Sequence, residues 1–360
     1  MKFGLFYLFS DFGDIPQQQL FKEVLTEIEY GEELGFESVW LPEHHFAVYG
    51  MLGNPMTFAA AVSQRTQTMK IGTAIMVLPF QHPLRLAEDA ALVDTLSDGR
   101  LMLGLGRGYQ PPEFNGFGIP QERSSDIFEE GMEILTRALS GEKFTYNGEF
   151  YQIKEPTEIF PKPIQQPHPP FYIASISPRS YEVTAKYGAS LMRSPQFANL
   201  DAVASGFEVY KTKMREYGHD PDALDQPFSV RTYVAPTNAA AMGETENMVW
   251  FFKLMATLLP GAPGRPTPPS GYENYPLDPS VLGNVTVDDV WERGTCFGDP
   301  DRVIELYKQY MHTVGATSFM CQLRVGGLSH EKVMRSMELF AKEVIPALEE
   351  EEARMTAVKA

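Results

Sequence analysis

Short apolar runs alternate with longer stretches of helical spacing along all 360 residues, and this alternation constrains the fold more than any other feature. Runs so far apart cannot pair through tight hairpins. They pair in parallel, with a helix returning the chain each time. The strand candidates are Phe3–Phe9, Ser38–Leu41, Lys70–Leu78, Leu101–Gly106, Phe171–Ala174, Ser190–Arg193, Phe228–Ala235 and Thr317–Leu323. Helical patterns cover Gln17–Leu34, Pro55–Thr68, Pro83–Leu96, Ser124–Leu139, Pro178–Tyr187, Leu200–Tyr217, Asn238–Leu254, Asp299–Thr313 and His330–Leu348. Asn54-Pro55 and Ser177-Pro178 set a capping side chain before a first-turn proline. Gly35, Gly188, Gly218 and Gly315 stand where helices stop. Eight such units predict an α/β fold, a (β/α)8 TIM barrel, with an open doubly wound sheet as the alternative.

A bare barrel needs about 250 residues. The surplus falls after strand four (Gly108–Arg123), before strand five (Gly141–Pro169, with a hairpin at Phe144–Tyr151) and after strand seven (Leu258–Gly298). The last insertion carries Pro260, Pro263, Pro266, Pro268, Pro269, Pro276 and Pro279 and is expected to be a lid, since long loops in compact domains usually cover or form sites. Residues 1–348 read as one domain and Glu349–Ala360 as a charged, frayed tail. The net charge of −17 argues against nucleic acid and anionic membrane as partners. No apolar run approaches the ~20 residues of a membrane helix. Met1–Phe9 lacks a cleavage signal and reads as a strand. Cys296 and Cys321 suggest free thiols in a reducing compartment, so a cytoplasmic location is expected.

In a parallel barrel the loops after the strands form one face, so chemistry is sought at the C-terminal strand ends. Strand two ends in Glu43-His44-His45. Imidazoles there can give or take a proton near neutral pH, and as neighbours they diverge and cannot share one task. A metal reading needs a further ligand at another strand end, which neither His82 nor His168 supplies, so no metal is expected. Gly72 to Ala74 would let a flat ring approach the backbone of strand three. Strand four ends in Gly104-Leu105-Gly106-Arg107-Gly108, which lacks the third glycine of a dinucleotide fingerprint because Tyr109 follows. Arg107 there suits a phosphate. Strand five runs through Ala174-Ser175-Ile176-Ser177 into a helix start carrying Arg179, a second anion-friendly feature beside the first.

The stretches Trp40–Phe46, Leu52–Pro55, Gly72–Ala74, Val77–Pro79, His82-Pro83, Glu88-Asp89, Gly99-Arg100, Arg107-Gly108 and Phe117-Gly118, with Glu216–Asp220 and Ser336–Phe340 farther on, together resemble the bacterial-luciferase family of flavin-dependent monooxygenases. The resemblance implies FMN, delivered as FMNH2 by a separate, transiently bound flavin reductase, and O2 with a small apolar organic substrate. It implies that Arg107 and the turn Ala174, Ser175, Ile176, Ser177 and Arg179 hold the FMN phosphate. It places Ala74, Ile75, Met76 and Gly106 at the flavin ring, with a cis peptide at Ala74–Ile75. His44 would be the catalytic base or donor, His45 a second catalytic residue lining the site, and Glu43 their support. A homodimer is expected, packed through the helices after strands two and three, where Ala59-Ala60-Ala61 permits close approach. The chain departs from the family pattern at Gly106, where a reactive cysteine is usual, and at Ser175-Ile176, Arg179 and Ser194. Two other readings share the scaffold: hydride transfer with a flavin or deazaflavin, and a non-catalytic flavin-binding subunit.

Overall fold

The computed structural model describes residues 1–195, 200–264, 267–273, 275, 277–292 and 295–359, apart from the side chains of 358 and 359. Pro266 and Pro276 of the long insertion lie outside the described residues. The strands are β1 (Lys2–Phe6), β2 (Ser38–Leu41), β3 (Lys70–Thr73), β4 (Met76–Val77), β5 (Leu101–Gly106), β6 (Phe144–Asn147), β7 (Gln152–Thr157), β8 (Phe171–Ala174), β9 (Ser190–Met192), β10 (Pro227–Val234), β11 (Thr295–Gly298) and β12 (Ser318–Gln322). Ten form one curled parallel sheet in the order β11-β10-β12-β1-β2-β3-β5-β8-β9, with β4 also on β5. β6 and β7 make the expected hairpin. Just past β9, Arg193 bridges Phe228 of β10 in parallel, its N–H donating to Pro227 O (3.2 Å) and its carbonyl accepting from Ser229 N (2.8 Å). The curl therefore brings β9 beside β10. The class is α/β, with helices between most successive strands of the main sheet.

Several expectations are corrected. The run Lys70–Leu78 is two strands, because the backbone breaks at Ala74–Ile75, a cis peptide. Thr73 fills the gap: its hydroxyl donates to Gly104 O and accepts from Gly104 N, both at 2.8 Å, replacing the lost ladder bonds. A Cβ on Gly104 would stand 1.8 Å from the Thr73 carbonyl oxygen, which is backbone and cannot swing away. Gly104→Ala is expected to cost about 3 kcal/mol or more as overpacking, read as a fall in the urea midpoint at unchanged slope.

The helix expected over Asn238–Leu254 is two, Asn238–Glu244 and Met248–Leu258. The insertion after β10 ends in a strand: β11, wholly buried, pairs with the second half of β10, while β12 pairs with the first half on the other side. Four residues at the end of a proline-rich stretch gave no strand signal. The tail is not frayed. Ile345–Lys359 is helical, and the N-terminal ammonium donates to the Glu352 carboxylate.

Most apolar side chains pack between the sheet and the helices. A second, smaller cluster of Trp40, Met102, Tyr172, Met192 and Met320 fills the inside of the curl, with Phe6, Ala74 and Ile75 against it. Trp40 meets Tyr172 edge-on at 5.1 Å between ring centres. This inner layer forms the floor on which the site stands.

One group of three candidate metal ligands comes together among the described residues, and it lies away from that floor: Glu23, Glu27 and His330. Arg324 donates to both carboxylates, so their charge is already answered. His330 Nδ1 lies 2.8 Å from Glu27 Oε1, and this hydrogen bond raises the imidazole pKa against the opposing effect of burial. A raised folded value stabilises fully below the unfolded pKa of about 6.5 and is lost as pH climbs through the folded one. The Tm advantage of the unsubstituted chain over His330→Gln should therefore shrink from pH 6 to pH 8. An advantage that stays level would remove the linkage.

Candidate active site

A cavity of about 470 Å³ opens above the inner cluster, at the ends of the strands. Its wall takes in Glu43 and His44 after β2, Ala74 and Ile75 between β3 and β4, Gly106 and Arg107 at β5, and Ala174, Ser175, Ile176, Ser177 and Arg179 after β8. His45 and Met76 are outside the wall. Met76 is buried in the sheet, and a rigid strand points one neighbour in and the next out.

The two histidines part as neighbours must. His45 Nε2 meets Glu43 Oε1 at 2.9 Å, and Glu43 Oε2 accepts from Val77 N at 2.8 Å. Glu43 thus pins the β2 end to β4 from a buried position. Burial raises its pKa, against the hydrogen bonds from His45 and Val77. His44 Nδ1 lies 3.0 Å from Glu113 Oε1, which also accepts the His45 backbone N–H at 2.9 Å. The Glu113 carboxylate can accept the Nδ1 proton, and in that tautomer Nε2 is the nitrogen available for proton transfer. Gln110 Nε2 stands 3.1 Å from the same Nδ1, and Tyr49 packs edge-on to the ring at 4.8 Å.

Glu113 was missed because the Gly108–Arg123 segment reads as a loop. It contains a helix, Pro111–Phe117, with Glu113 in its first turn. Two signals were present: Pro111 at the first helical position and Gly118 after the last, at φ 69°. Nothing in the spacing could show that this turn reaches His44.

Arg107 donates to Ser125 Oγ (2.9 Å) and Gly271 O (3.0 Å) and lies 4.1 Å over the Tyr272 ring. All three are neutral, so its charge meets no carboxylate among the described residues. Arg179 differs. It is exposed and pairs with Asp126 (2.7 Å) and Glu129 (2.6 Å). In the turn after β8, Ser180 Oγ accepts from the N–H groups of Ile176 (3.2 Å) and Ser177 (2.9 Å), and Ser175 Oγ lies 2.7 Å from Thr184 Oγ1. A nine-residue helix, Pro178–Lys186, starts there with a full capping box. The long insertion lies over the mouth: Tyr272 donates to Gly108 O at 2.8 Å, and Tyr275 stacks on Tyr109 at 5.6 Å.

A parallel α/β sheet thus places at its strand ends an arginine that meets no carboxylate among the described residues and a histidine beside a carboxylate, chemistry suited to an anion and to proton transfer. Residues 1–318 match the model of the luciferase-like monooxygenase family, and the chain belongs to that family. It is 28% identical to the alkanal monooxygenase alpha chain of Photorhabdus luminescens, over 98% of both chains. It is 25% identical to the oxygenase component of the flavin-dependent trigonelline monooxygenase of Acinetobacter baylyi, over 97% of this chain and 96% of that one. Among solved structures, a monooxygenase of Streptomyces bottropensis superposes with a TM-score of 0.80 at 27% identity, over 96% of this chain and 99% of that one.

Proposed function

We propose that the chain is the oxygenase component of a two-component system, using reduced FMN from a separate reductase and O2 to oxygenate a small, mainly apolar organic substrate. The observation that carries this is one cavity holding both an unneutralised Arg107 at its mouth and His44 with Glu113 on Nδ1 in its wall. An uncompensated guanidinium in a chain of net charge −17 is a place for a phosphate. Bound reduced FMN would supply the two electrons that O2 needs. Arg107 would hold the phosphate, with the helix start after Ser177 adding its dipole. Ala74, Ile75 and Gly106, small or apolar, would border the ring. His44 Nε2 would give or take the proton at the reacting atoms. The apolar inner cluster and Tyr272 and Tyr275 above would keep water out. Anaerobic titration with reduced FMN, followed by an O2 pulse, tests the reading. Saturable binding and flavin reoxidation slower than that of free FMNH2 are expected; reoxidation at the free rate would overturn it.

The curled sheet reads as a (β/α)8 barrel, which the Arg193–Phe228 bridge supports. No helix of the described residues is long and apolar enough to cross a membrane. Cys296 and Cys321 are buried free thiols, in keeping with a reducing cytoplasm. A homodimer through the helices Pro55–Ser63 and Pro83–Leu96 is supported by Leu92 and Leu96, both exposed and one turn apart. Light scattering at micromolar concentration should return twice the chain mass, and a monomer mass would refute it. The part of the insertion before β11 reads as a lid, tied down by Tyr272 and the Gly271 carbonyl. Limited proteolysis should cut it first, and FMN should slow that cut; equal cutting with and without FMN would count against a lid.

A further inference from the structure

Two buried arginines of the cavity wall stay outside the flavin reading: Arg193, which donates to the Tyr181 hydroxyl, and Arg231. Arg231, on β10, lines the wall and is almost wholly buried. Its guanidinium lies 4.8 Å from the Phe251 ring and 5.0 Å from the Phe252 ring, yet Nε and Nη1 are buried without any hydrogen-bond partner. No carboxylate among the described residues pairs with it. The ionisable groups nearest to it are the hydroxyls of Tyr49 and Tyr109, which burial holds protonated. Burial pushes the Arg231 pKa down only to about 10, so it is charged at neutral pH. A buried charge with unmade hydrogen bonds is costly, and aromatic faces answer only part of that cost. The arrangement makes sense if an anion completes it.

The strand order says which anion. From β10, β3 is reached through β12, β1 and β2 one way, and through β9, β8 and β5 the other. Arg231 therefore stands four strands from Ala74–Ile75 in either direction, on the opposite wall of the curl. It is also separated by β9 from the turn after β8, and by two strands from Arg107 on β5. With a flavin ring against Ala74–Ile75 and its phosphate at Arg107, what faces Arg231 is the other reactant. Tyr49, in the cavity wall between them, packs on His44 at 4.8 Å and on Phe251 behind it at 5.2 Å, and Phe251 lies against Arg231.

We infer that the substrate is an organic acid, an apolar body bearing a carboxylate that Arg231 receives while the body lies along Tyr49 toward His44. This rests on the flavin reading for the cavity's other half. It narrows the substrate from an apolar molecule to an amphiphilic one, and the guanidinium fork fits a planar carboxylate through two N–H groups.

Calorimetric titration of the FMN-loaded protein with benzoate, hexanoate and 4-phenylbutyrate, each against its primary amide, is the test. At least one acid should bind roughly 30-fold or more tightly than its amide, and Arg231→Met should bring that ratio to about one, with Arg231→Lys between. Acids that bind no better than amides, or bind not at all, overturn the inference, as does a ratio that survives Arg231→Met. Should Arg231→Met fail to fold, the ratio in the unsubstituted protein and in Arg231→Lys decides. A variant that weakens reduced FMN while acid and amide bind alike would assign the guanidinium to the flavin instead, and would overturn it too. FMN affinity measured in the same samples separates the two readings: an acid preference without FMN binding sinks the flavin reading alone, and FMN binding without an acid preference sinks this one alone.

Discussion

His44→Ala should oxidise reduced FMN and consume O2 yet release H2O2 in place of oxygenated product. On the proposed function the imidazole serves proton transfer and not cofactor binding: Nδ1 lies beside Glu113, and Nε2 makes no hydrogen bond among the described residues. Positioned acid–base help of this kind contributes about 10²–10⁴-fold in rate, and oxygenated product per FMNH2 oxidised should fall on that scale. Glu113→Gln makes a sharper case. An amide can present its NH2 to Nδ1 and so favour the other tautomer, placing the proton on Nε2. Coupling should then fall while reduced-FMN affinity stays within a few-fold, and the pH dependence of coupling should move with it. Full coupling in His44→Ala would place the proton donor elsewhere and leave His44 as packing beneath Tyr49.

Arg107→Ala should weaken reduced FMN by about 2–5 kcal/mol, the usual cost of truncating one side of a desolvated charge pair. The lower end is expected if the mouth stays open to water, the upper end if the insertion closes over it. Arg179→Ala is the internal comparison. Its guanidinium is exposed and already shared between Asp126 and Glu129, and exposed pairs are worth little. Equilibrium titration followed by flavin fluorescence should give a far smaller loss for Arg179→Ala. Equal losses would mean that both arginines reach the phosphate, and an unchanged Arg107→Ala would take it off the cofactor altogether. Arg107 also ties the insertion down through Gly271 and Tyr272, so its loss should speed proteolysis of that segment.

The alternation of period-two runs and helical stretches was enough to predict a parallel α/β sheet, because each run needs a helix to cover its face before the next can pair. The strand ends followed directly, and with them the position of His44, Arg107 and the turn after β8. Local capping chemistry placed the helix at Pro178 to within a residue. Among what escaped are three elements. β11 is four residues long and pairs along the edge of the second half of β10, a partnership its own pattern does not announce. The tail helix has no distinct apolar face of its own; it packs on its neighbours, Leu348 wholly buried, and holds the N-terminus. The Glu113 helix was masked by its prolines and glycines.

The site divides along the same line. Residue types at strand ends were set locally and legible in order along the chain, whereas the break at Ala74–Ile75 between β3 and β4 came only through the family resemblance. Which of two adjacent histidines enters the cavity was not, since both follow the same strand. That choice fell to two carboxylates: Glu43, buried beside β4, takes His45 away, and Glu113, some seventy positions onward, takes His44 Nδ1. The charge of Arg231 was visible in the sequence; its lack of a partner was not. An unpaired group is a statement about everything that surrounds it, and only the closing of β10 against β9, β11 and β12, with Phe251 and Phe252 laid over it, decided that no carboxylate of the described residues would come within reach.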